Sequence, residues 1–179
     1  MIPRISNTYL LEKEYQWRGL MVESASHFLS AYQTVRPLAF PLIADATTAD
    51  YLHFLQKYNF PSEIDYLQID LEVSNRSTLT SLELLDKHVF DTYTFGVVTF
   101  EHDIYRGDYC DTRRLSREIF EKHGYTRVFS DVSVFEDWYA HPTIIDKDLI
   151  EKIKNHPDNK EGIEHFDCIP IIKNIKNRM

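Results

Sequence analysis

The sequence predicts an α/β protein with a mostly parallel β-sheet, and two observations support this prediction. Short apolar stretches alternate with segments of helical periodicity along the chain, which is typical of consecutive strand and helix units. The stretch "TYTFGVVTFEHD" (92–103) is hydrophobic over most of its length, as expected for a central strand buried on both faces. The 179 residues suffice for one domain with a single hydrophobic core.

Residues 7–17 and 24–35 are predicted helices on either side of a buried strand, "GLMVE" (19–23). The first helix would be amphipathic and could be capped by Ser6 or Asn7. The second would stop before a proline, because a proline lacks the backbone N–H that a helix interior needs. The apolar residues of the first helix are Leu10, Leu11 and Trp17.

A second strand is predicted at "LAFPLIAD" (38–45), followed by a helix over 47–60 that Thr47 would cap. A third strand, "IDYLQIDLE" (64–72), has its apolar residues close together and ends on acids. The segment 77–88 is the next predicted helix, and it leads into the central strand.

The last third of the chain is predicted to complete the sheet. Residues 111–124 form the clearest helix, with a His-Gly stop signal at its end. The segment 125–140 fits two strands in a hairpin at the sheet's edge, where an antiparallel strand is permitted. From about residue 146 we expect a short helix and a Lys-rich surface extension of the single domain, 1–179.

Composition and charge make several kinds of partner and structural site unlikely to be found in this protein. The formal net charge of −8 would repel a nucleic-acid backbone or an anionic membrane, so neither is expected as a partner. Cys110 and Cys168 lie far apart without a C-x-x-C motif, which predicts neither a zinc ribbon nor a disulfide framework. With no apolar run long enough for a signal peptide or a membrane span, we expect a cytoplasmic protein.

Acidic residues end four of the predicted strands. The carboxyl ends of parallel strands line one edge of a sheet, and ligands bind in the crevice outside that edge, so these acids are expected to converge. A carboxylate there can accept both hydroxyls of a ribose or an adenine amine, and we assign these roles to Glu23 and Asp45. Taken singly, each acid could instead cap the following helix. The acids are Glu23, Asp45, Asp70 with Glu72, and Glu101 with Asp103.

Several segments together resemble the FkbM-type S-adenosylmethionine-dependent methyltransferases. They are "SNTYLLEKEYQWRGLMVES", "IDYLQIDLE", "FEHDIY" and "GYTRVFSDVSVFEDWYAHP", and their order spans roughly residues 5–145. The resemblance implies a Rossmann-like three-layer sandwich with a seven-stranded sheet whose last strand is antiparallel. It also implies an O-methyltransferase that uses S-adenosylmethionine and acts on a small-molecule or carbohydrate hydroxyl.

Transferred onto this sequence, the resemblance implies the following roles. The cofactor would be bound by Glu23, Ser24, Asp45, Ala46 and Asp70. Catalysis would involve His102, Asp70 and Glu101, with His102 as first choice of base because its ordinary pKa lies near neutrality. The acceptor would meet Glu72, Asp103, Tyr105 and Trp138. Simpler alternatives stay open: His102 could only bond a loop, and Trp138 could belong to the core or a lid.

The sequence departs from the family at its start. Members carry a strand and a glycine-rich turn before the first helix, where backbone approaches the cofactor, whereas here no glycine precedes Gly19. The chain would then be either a fragment of a longer enzyme or a diverged relative without the first strand. In either case two strands would lack a neighbour, and we expect residues 1–6 or a partner chain to fill part of the gap.

Two further functions remain open. One is a non-catalytic methyltransferase-like remnant that serves as a binding or assembly module, and a homo-oligomer is compatible with either function. The other is a nucleotide-sugar transferase, in which the strand-end acids would bind a metal diphosphate. We predict no metal site, and no His pair or H-E-x-x-H motif indicates a catalytic zinc. The alternative is a hard divalent cation such as magnesium or manganese, bound by Asp70, Glu72, Glu101, His102 and Asp103.

Overall fold

The computed structural model describes residues 8–103, 109–129 and 135–156. The contacts divide the chain into two compact units, Met1–Tyr58 and Asn59–Met179. The first unit holds a two-stranded sheet and the second a four-stranded sheet, each with helices, so the predicted α/β class is confirmed. Among the described helices, none is both long and apolar enough to cross a membrane.

The first unit follows the predicted alternation of helix and strand. Strand β1 pairs in parallel with β2, in a register that runs from Gly19 opposite Ala39 to Glu23 opposite Ile43. Both strands therefore end on the same side, as the sequence predicts. The elements are α1 (Tyr9–Tyr15), β1 (Gly19–Glu23), α2 (Leu29–Val35), β2 (Ala39–Ile43) and α3 (Tyr51–Lys57).

Helix α1 does not bury the face that its sequence suggests. Leu10 and Trp17 are exposed, whereas Glu12 is only 3% exposed. The Glu12 carboxylate accepts hydrogen bonds from Arg36 Nε at 2.5 Å and from the backbone N–H of Leu38 at 3.1 Å. A buried charge is tolerated when it is paired in this way, so an ion pair anchors α1 to the first unit.

The other two helices of this unit start later than predicted. A 3-10 turn, Ser26–Phe28, precedes α2. Asp50, and not Thr47, caps α3, because its side chain accepts a hydrogen bond from His53 N at 3.0 Å. Thr47 instead donates to Asp45, which makes the β2–α3 connection a local turn.

The second unit has strand order β3-β4-β6-β5. β3 and β4 are parallel, and β6 is antiparallel to both β4 and β5. The antiparallel strand β6 thus lies inside the sheet, and the two-residue β5 lies at the edge. The predicted pairing of the two last strands is confirmed, but only one of them is at the edge. The elements are β3 (Glu63–Ile69), α4 (Ser77–His88), β4 (Thr94–Glu101), α5 (Cys110–Lys122), β5 (Thr126–Arg127), β6 (Glu136–Ala140) and α6 (Lys147–Lys154).

Strand β4 is the central strand that the sequence predicts, with β3 on one side and β6 on the other. Val98 and Phe100 have no exposed surface. The ring of Phe120 on α5 lies 5.9 Å from Phe100 and 4.3 Å from Tyr139 on β6, measured between centroids. These aromatic contacts pack α5 against the sheet.

Helix α6 is part of the core, which corrects the expectation of a surface extension from about residue 146. Ile150 is 3% exposed and belongs to an apolar cluster with Val128, Phe129 and Ala140. Ile153, three residues further along the same helix face, also packs against this cluster. The amphipathic spacing that looked like a short surface helix is therefore the docking face of α6.

Four strands have one open edge in the described part of the chain, and they are β1, β2, β3 and β5. Edges of this kind end every open sheet, so they do not test the prediction of a missing first strand. Residues 1–6, which were expected to fill part of this gap, lie outside the described residues.

Candidate functional site

Glu23 ends β1 with its carboxylate fixed from two sides. Its Oε1 accepts the backbone N–H of Ala25 at 2.9 Å, and its Oε2 accepts the hydroxyl of Tyr32 at 3.2 Å. Burial and the neighbouring Glu23 carboxylate raise the pKa of Tyr32, so the phenol stays a donor. Each carboxylate oxygen has two lone pairs, so Glu23 can accept two further hydrogen bonds without moving.

Asp45 follows β2 at the same end of the first unit's sheet. Its Oδ1 accepts both the backbone N–H and the hydroxyl of Thr47, at 2.8 and 2.7 Å, and these bonds lower the pKa of Asp45. No donor in the described part of the chain bonds to Oδ2. Ser24 is exposed, and the carbonyl of Ala46 accepts the hydroxyl of Tyr51 at 2.6 Å.

In the second unit, carboxyl groups meet at the end of β3 and β4 and the start of β6. Asp70 and Asp103 both lie close enough to Glu101 to raise the pKa of its carboxyl group. Glu136, the first residue of β6, lies directly opposite Glu101 in the antiparallel register. We call Asp70, Glu101, Asp103 and Glu136 the carboxyl cluster. Its existence confirms, for this unit, that acids from separate strands meet along one sheet edge.

The carboxyl cluster retains protons at neutral pH. Burial, followed by the hydrogen bond and the charge of Asp70, raises the pKa of Glu101 from 4.5 to about 9. Burial and the charge of Asp70 also raise the pKa of Glu136 to about 7, although the bond from Trp138 opposes the rise. Carboxyl groups with raised pKa values in a cluster of acids are typical of sites that move protons.

Hydroxyl and indole groups lie beside the carboxyl cluster. The Tyr66 hydroxyl is 2.7 Å from the Thr99 hydroxyl, and burial raises the pKa of Tyr66 to about 12. Trp138 Nε1 donates to Glu136 Oε1 at 2.7 Å. Because Thr99 is paired with Trp138 across the strands, these groups share a face of the sheet. That face offers hydroxyl donors and acceptors next to protonated acids.

The opposite face of β6 holds a different group of charges. Asp137, 1% exposed, accepts two hydrogen bonds from Arg117, with Nε at 2.6 Å and Nη2 at 2.9 Å. Arg113 Nη2 lies 4.0 Å from the same carboxylate, and His102 Nε2 lies 3.5 Å away. Arg113, on α5, thus points toward a buried carboxylate.

His102 is not placed as its role as base would require. It has no exposed surface, and it lies beside Asp137 on the face of β6 that points away from Glu136. An acceptor molecule could not reach it in this arrangement. The backbone explains the placement, since the N–H groups of both His102 and Asp103 donate to the carbonyl of Phe135.

The other predicted acceptor residues are only partly brought together. Asp103 joins the carboxyl cluster, whereas Glu72 is exposed and accepts bonds from the backbone and hydroxyl of Ser74. Trp138 packs edge-on against Phe129, with centroids 5.7 Å apart, in the apolar cluster under α6. Tyr105 lies outside the described residues.

Sequence reasoning missed Glu136 and Arg117 as site residues. The available signal for Glu136 was its place at the start of an antiparallel strand, which puts it at the same sheet edge as the ends of the parallel strands. Arg117 had no local signal, because its partner Asp137 is 20 residues away in sequence. Within the described ranges, no group of three or more His, Cys, Asp or Glu residues is arranged to hold a metal ion.

Comparison with known proteins gives no match to a family model, to a curated protein or to a solved structure.

Proposed function

We propose that this chain is a Rossmann-like, S-adenosylmethionine-dependent O-methyltransferase that acts on a small or sugar-like hydroxyl compound. The sheet arrangements support the fold. The first unit has two parallel strands that end on acids, and the second has a last strand that runs antiparallel beside β4. The resemblance of the sequence implies both features.

The observation that carries the proposal is the fixed carboxylate of Glu23. Bonds from Ala25 and Tyr32 hold both oxygens in place and leave lone pairs for the two hydroxyls of a ribose. Preorganisation of this kind lowers the entropic cost of binding. Asp45 Oδ2, at the same strand ends, can accept the exocyclic amine of adenine.

The carboxyl cluster supplies the proton chemistry of the proposal. S-adenosylmethionine, when bound, supplies an electrophilic methyl group. An attacking hydroxyl must lose its proton, and we assign Asp70, which lies beside Glu101, to accept it. Tyr66 and Glu136 can orient the hydroxyl. We assign the base to this pair and not to His102, because His102 is fully buried.

Titration calorimetry of the full chain with S-adenosylmethionine tests the proposal. We expect saturable binding that Glu23→Gln weakens at least about tenfold, since each hydrogen bond to a charged group is worth roughly 1.5–3 kcal/mol. Glu14→Gln, which removes an exposed carboxylate of α1, should leave the affinity unchanged. Absence of heat with the unaltered chain at millimolar cofactor would refute the cofactor assignment.

A separate assay follows transfer of the methyl group to sugar-like acceptors. We expect Asp70→Asn to lower the rate at saturating cofactor at least about tenfold, since a general base typically contributes 10²–10⁴ in rate. Cofactor binding without any transfer would instead favour the non-catalytic binding module.

A further inference from the structure

The four open strand edges in the described sheets differ in how they are protected against a further strand. Natural proteins block such edges with a proline, with charged side chains or by keeping the strand very short. β2 has Pro41 at its centre, β3 has the exposed acids Glu63 and Asp65, and β5 is only two residues long. β1, with the sequence GLMVE, has none of these features before its last residue, Glu23.

The outer edge of β1 presents backbone groups that no strand pairs. β1 pairs with β2 alone, and among the described residues no other backbone group bonds to residues 19–22. The N–H and C=O groups of a strand point alternately to its two sides, so those on the outer side of β1 lack a strand partner. An edge of this kind is a template for another strand.

The sheet of the first unit is also incompletely covered. All ten residues of β1 and β2 are half-buried, whereas five of the eight residues of β4 are buried. Apart from its chain neighbours, no atom of the described chain lies within 4 Å of the position that a Cβ would take at Gly19. Two strands seldom form a stable sheet by themselves, and a third strand would cover part of this surface.

β1 can pair with a second copy of itself without placing like charges opposite each other. In an antiparallel pair related by a two-fold axis, with Met21 opposite Met21, Leu20 lies opposite Val22 and Gly19 lies opposite Glu23. Apolar side chains then meet apolar side chains, which stabilises a strand pair. The Glu23 carboxylate meets the open space beside Gly19 and not a second carboxylate.

The same operation on β3 gives a poorer match. With Tyr66 on the axis, Asp65 would lie opposite Leu67 and Glu63 opposite Ile69, so both acids would meet apolar side chains. The acids of β3 therefore disfavour the self-pairing that the sequence of β1 permits.

Charges at the two ends of β1 favour a second copy as the partner. Arg18, directly before β1, is exposed, and its guanidinium lies 5.1 Å from the centroid of the Phe40 ring. In the antiparallel pair, Arg18 of one copy comes next to Glu23 of the other. Because the axis is two-fold, opposite charges approach each other at both ends of the paired strands.

We propose that β1 pairs with β1 of a second copy of this chain, antiparallel and with Met21 on the two-fold axis. The two sheets then form one sheet of four strands across a homodimer. Residues 1–6 or a partner chain were the expected occupants of an open strand edge, and the partner chain is here a second copy. Such a dimer needs no bound cofactor, so it stands apart from the methyltransferase proposal.

Sedimentation equilibrium of the full chain, at micromolar to near-millimolar concentration, tests the dimer. We expect a reversible equilibrium between the 21.2 kDa chain and a species of twice that mass. Met21→Lys places two like charges opposite each other on the axis and should weaken the association at least about tenfold. Leu42→Lys, on the equally half-buried β2, is the matched control and should change the dissociation constant by less than about twofold.

Two further measurements separate strand pairing from misfolding. Met21→Glu should also be monomeric alone, whereas an equimolar mixture of Met21→Lys and Met21→Glu should form a heterodimer, because opposite charges then face each other. In a Cys110→Ser, Cys168→Ser background, mild oxidation should link Met21→Cys chains into a covalent dimer and leave Leu42→Cys chains unlinked.

Three results would overturn the proposal. One is an unaltered chain that stays monomeric at every concentration, which would favour residues 1–6 as the occupant of the edge. Another is a dimer that Met21→Lys does not weaken, because its interface would lie elsewhere. The third is a Met21→Cys chain that forms no more covalent dimer than Leu42→Cys.

Discussion

Glu136 and Asp137 are adjacent acids on one strand, yet their surroundings shift their pKa values in opposite directions. Burial and the charge of Asp70 raise the pKa of Glu136 to about 7. Burial acts on Asp137 in the same sense, but the bonds and charges of Arg117 and His102 outweigh it and hold the pKa of Asp137 below its ordinary value. Asp137 is the more deeply buried of the two. Charge partners, more than burial, therefore decide whether an acid on this sheet keeps its proton.

The alternation of side chains along a strand makes this contrast possible. Consecutive residues of β6 point to opposite faces, so one strand contributes to two unlike sites. Glu136 faces other carboxyl groups at the strand ends, where a proton can be exchanged. Asp137 faces the arginines of α5, where a permanent negative charge positions cations.

The largest expected effect comes from Asp137→Asn. Loss of the charge leaves Arg117 and Arg113 without their shared counter-ion, so unfolding by denaturant should show a loss of about 3 kcal/mol or more. Since the folded pKa of Asp137 lies below its ordinary 3.8, this penalty should be complete above about pH 4 and shrink as the pH falls through the folded value.

Asp111→Asn is the matched control for that variant. The Asp111 side chain is 84% exposed and contacts Arg114 at 3.2 Å. Surface ion pairs contribute little, and we expect a change within about 0.5 kcal/mol. A comparable loss of unfolding free energy in Asp137→Asn and Asp111→Asn would show that the arginine partners of Asp137 have no special effect on stability.

The next effect concerns the pH dependence of stability. An acid whose pKa is higher in the folded than in the unfolded state binds more protons when folded, so its contribution to stability falls as the pH rises. For Glu101 this decline spans the interval from its ordinary 4.5 to about 9. Glu101→Gln should therefore be more stable than the unaltered chain by at least about 1 kcal/mol at alkaline pH, after allowance for solvent screening.

Denaturant unfolding between pH 4 and pH 9 measures this difference, with Glu63→Gln on the exposed start of β3 as control. At the acid end of the range, the Glu101→Gln and unaltered chains should agree within about 0.5 kcal/mol, because the protonated acid and the amide are alike. If the free energy of unfolding depends on pH in the same way in both chains, Glu101 does not keep its proton in the folded state.

A smaller effect is expected from Trp138→Phe. The indole N–H donates to Glu136 at 2.7 Å and opposes the rise of its pKa. Without this bond the pKa of Glu136 should rise above about 7 by roughly one unit or less, since one hydrogen bond contributes about 0.5–1.5 kcal/mol. Carboxyl NMR of the variant measures the shift, and a fall in the pKa would show that Trp138 acts in another way.

Local patterns in the sequence predict much of this fold. β1 and α4 begin and end at the predicted residues. Both are recognised from neighbouring residues, β1 from an apolar stretch and α4 from a helical repeat. The central position of β4 follows in the same way from its hydrophobic length. The meeting of Asp70 with Glu101 follows from the rule that parallel strands end at one edge.

Contacts between residues far apart in sequence could not be predicted. Glu12 is buried only because Arg36, 24 residues away, pairs with it. His102 lies beside Asp137 and not at the carboxyl cluster because β6 inserts next to β4, which no local pattern specifies. The wrong predictions therefore concern polar side chains that are buried because they pair with a residue far away in sequence.

Carboxyl-detected NMR titration of the full chain is the most direct test of the claim that the strand-end acids retain protons. With Glu101 and Glu136 assigned by their Gln variants, we predict midpoints near pH 9 and pH 7, and an Asp137 that is ionised throughout the neutral range. Midpoints of Glu101 and Glu136 both near the ordinary 4.5 would contradict the account.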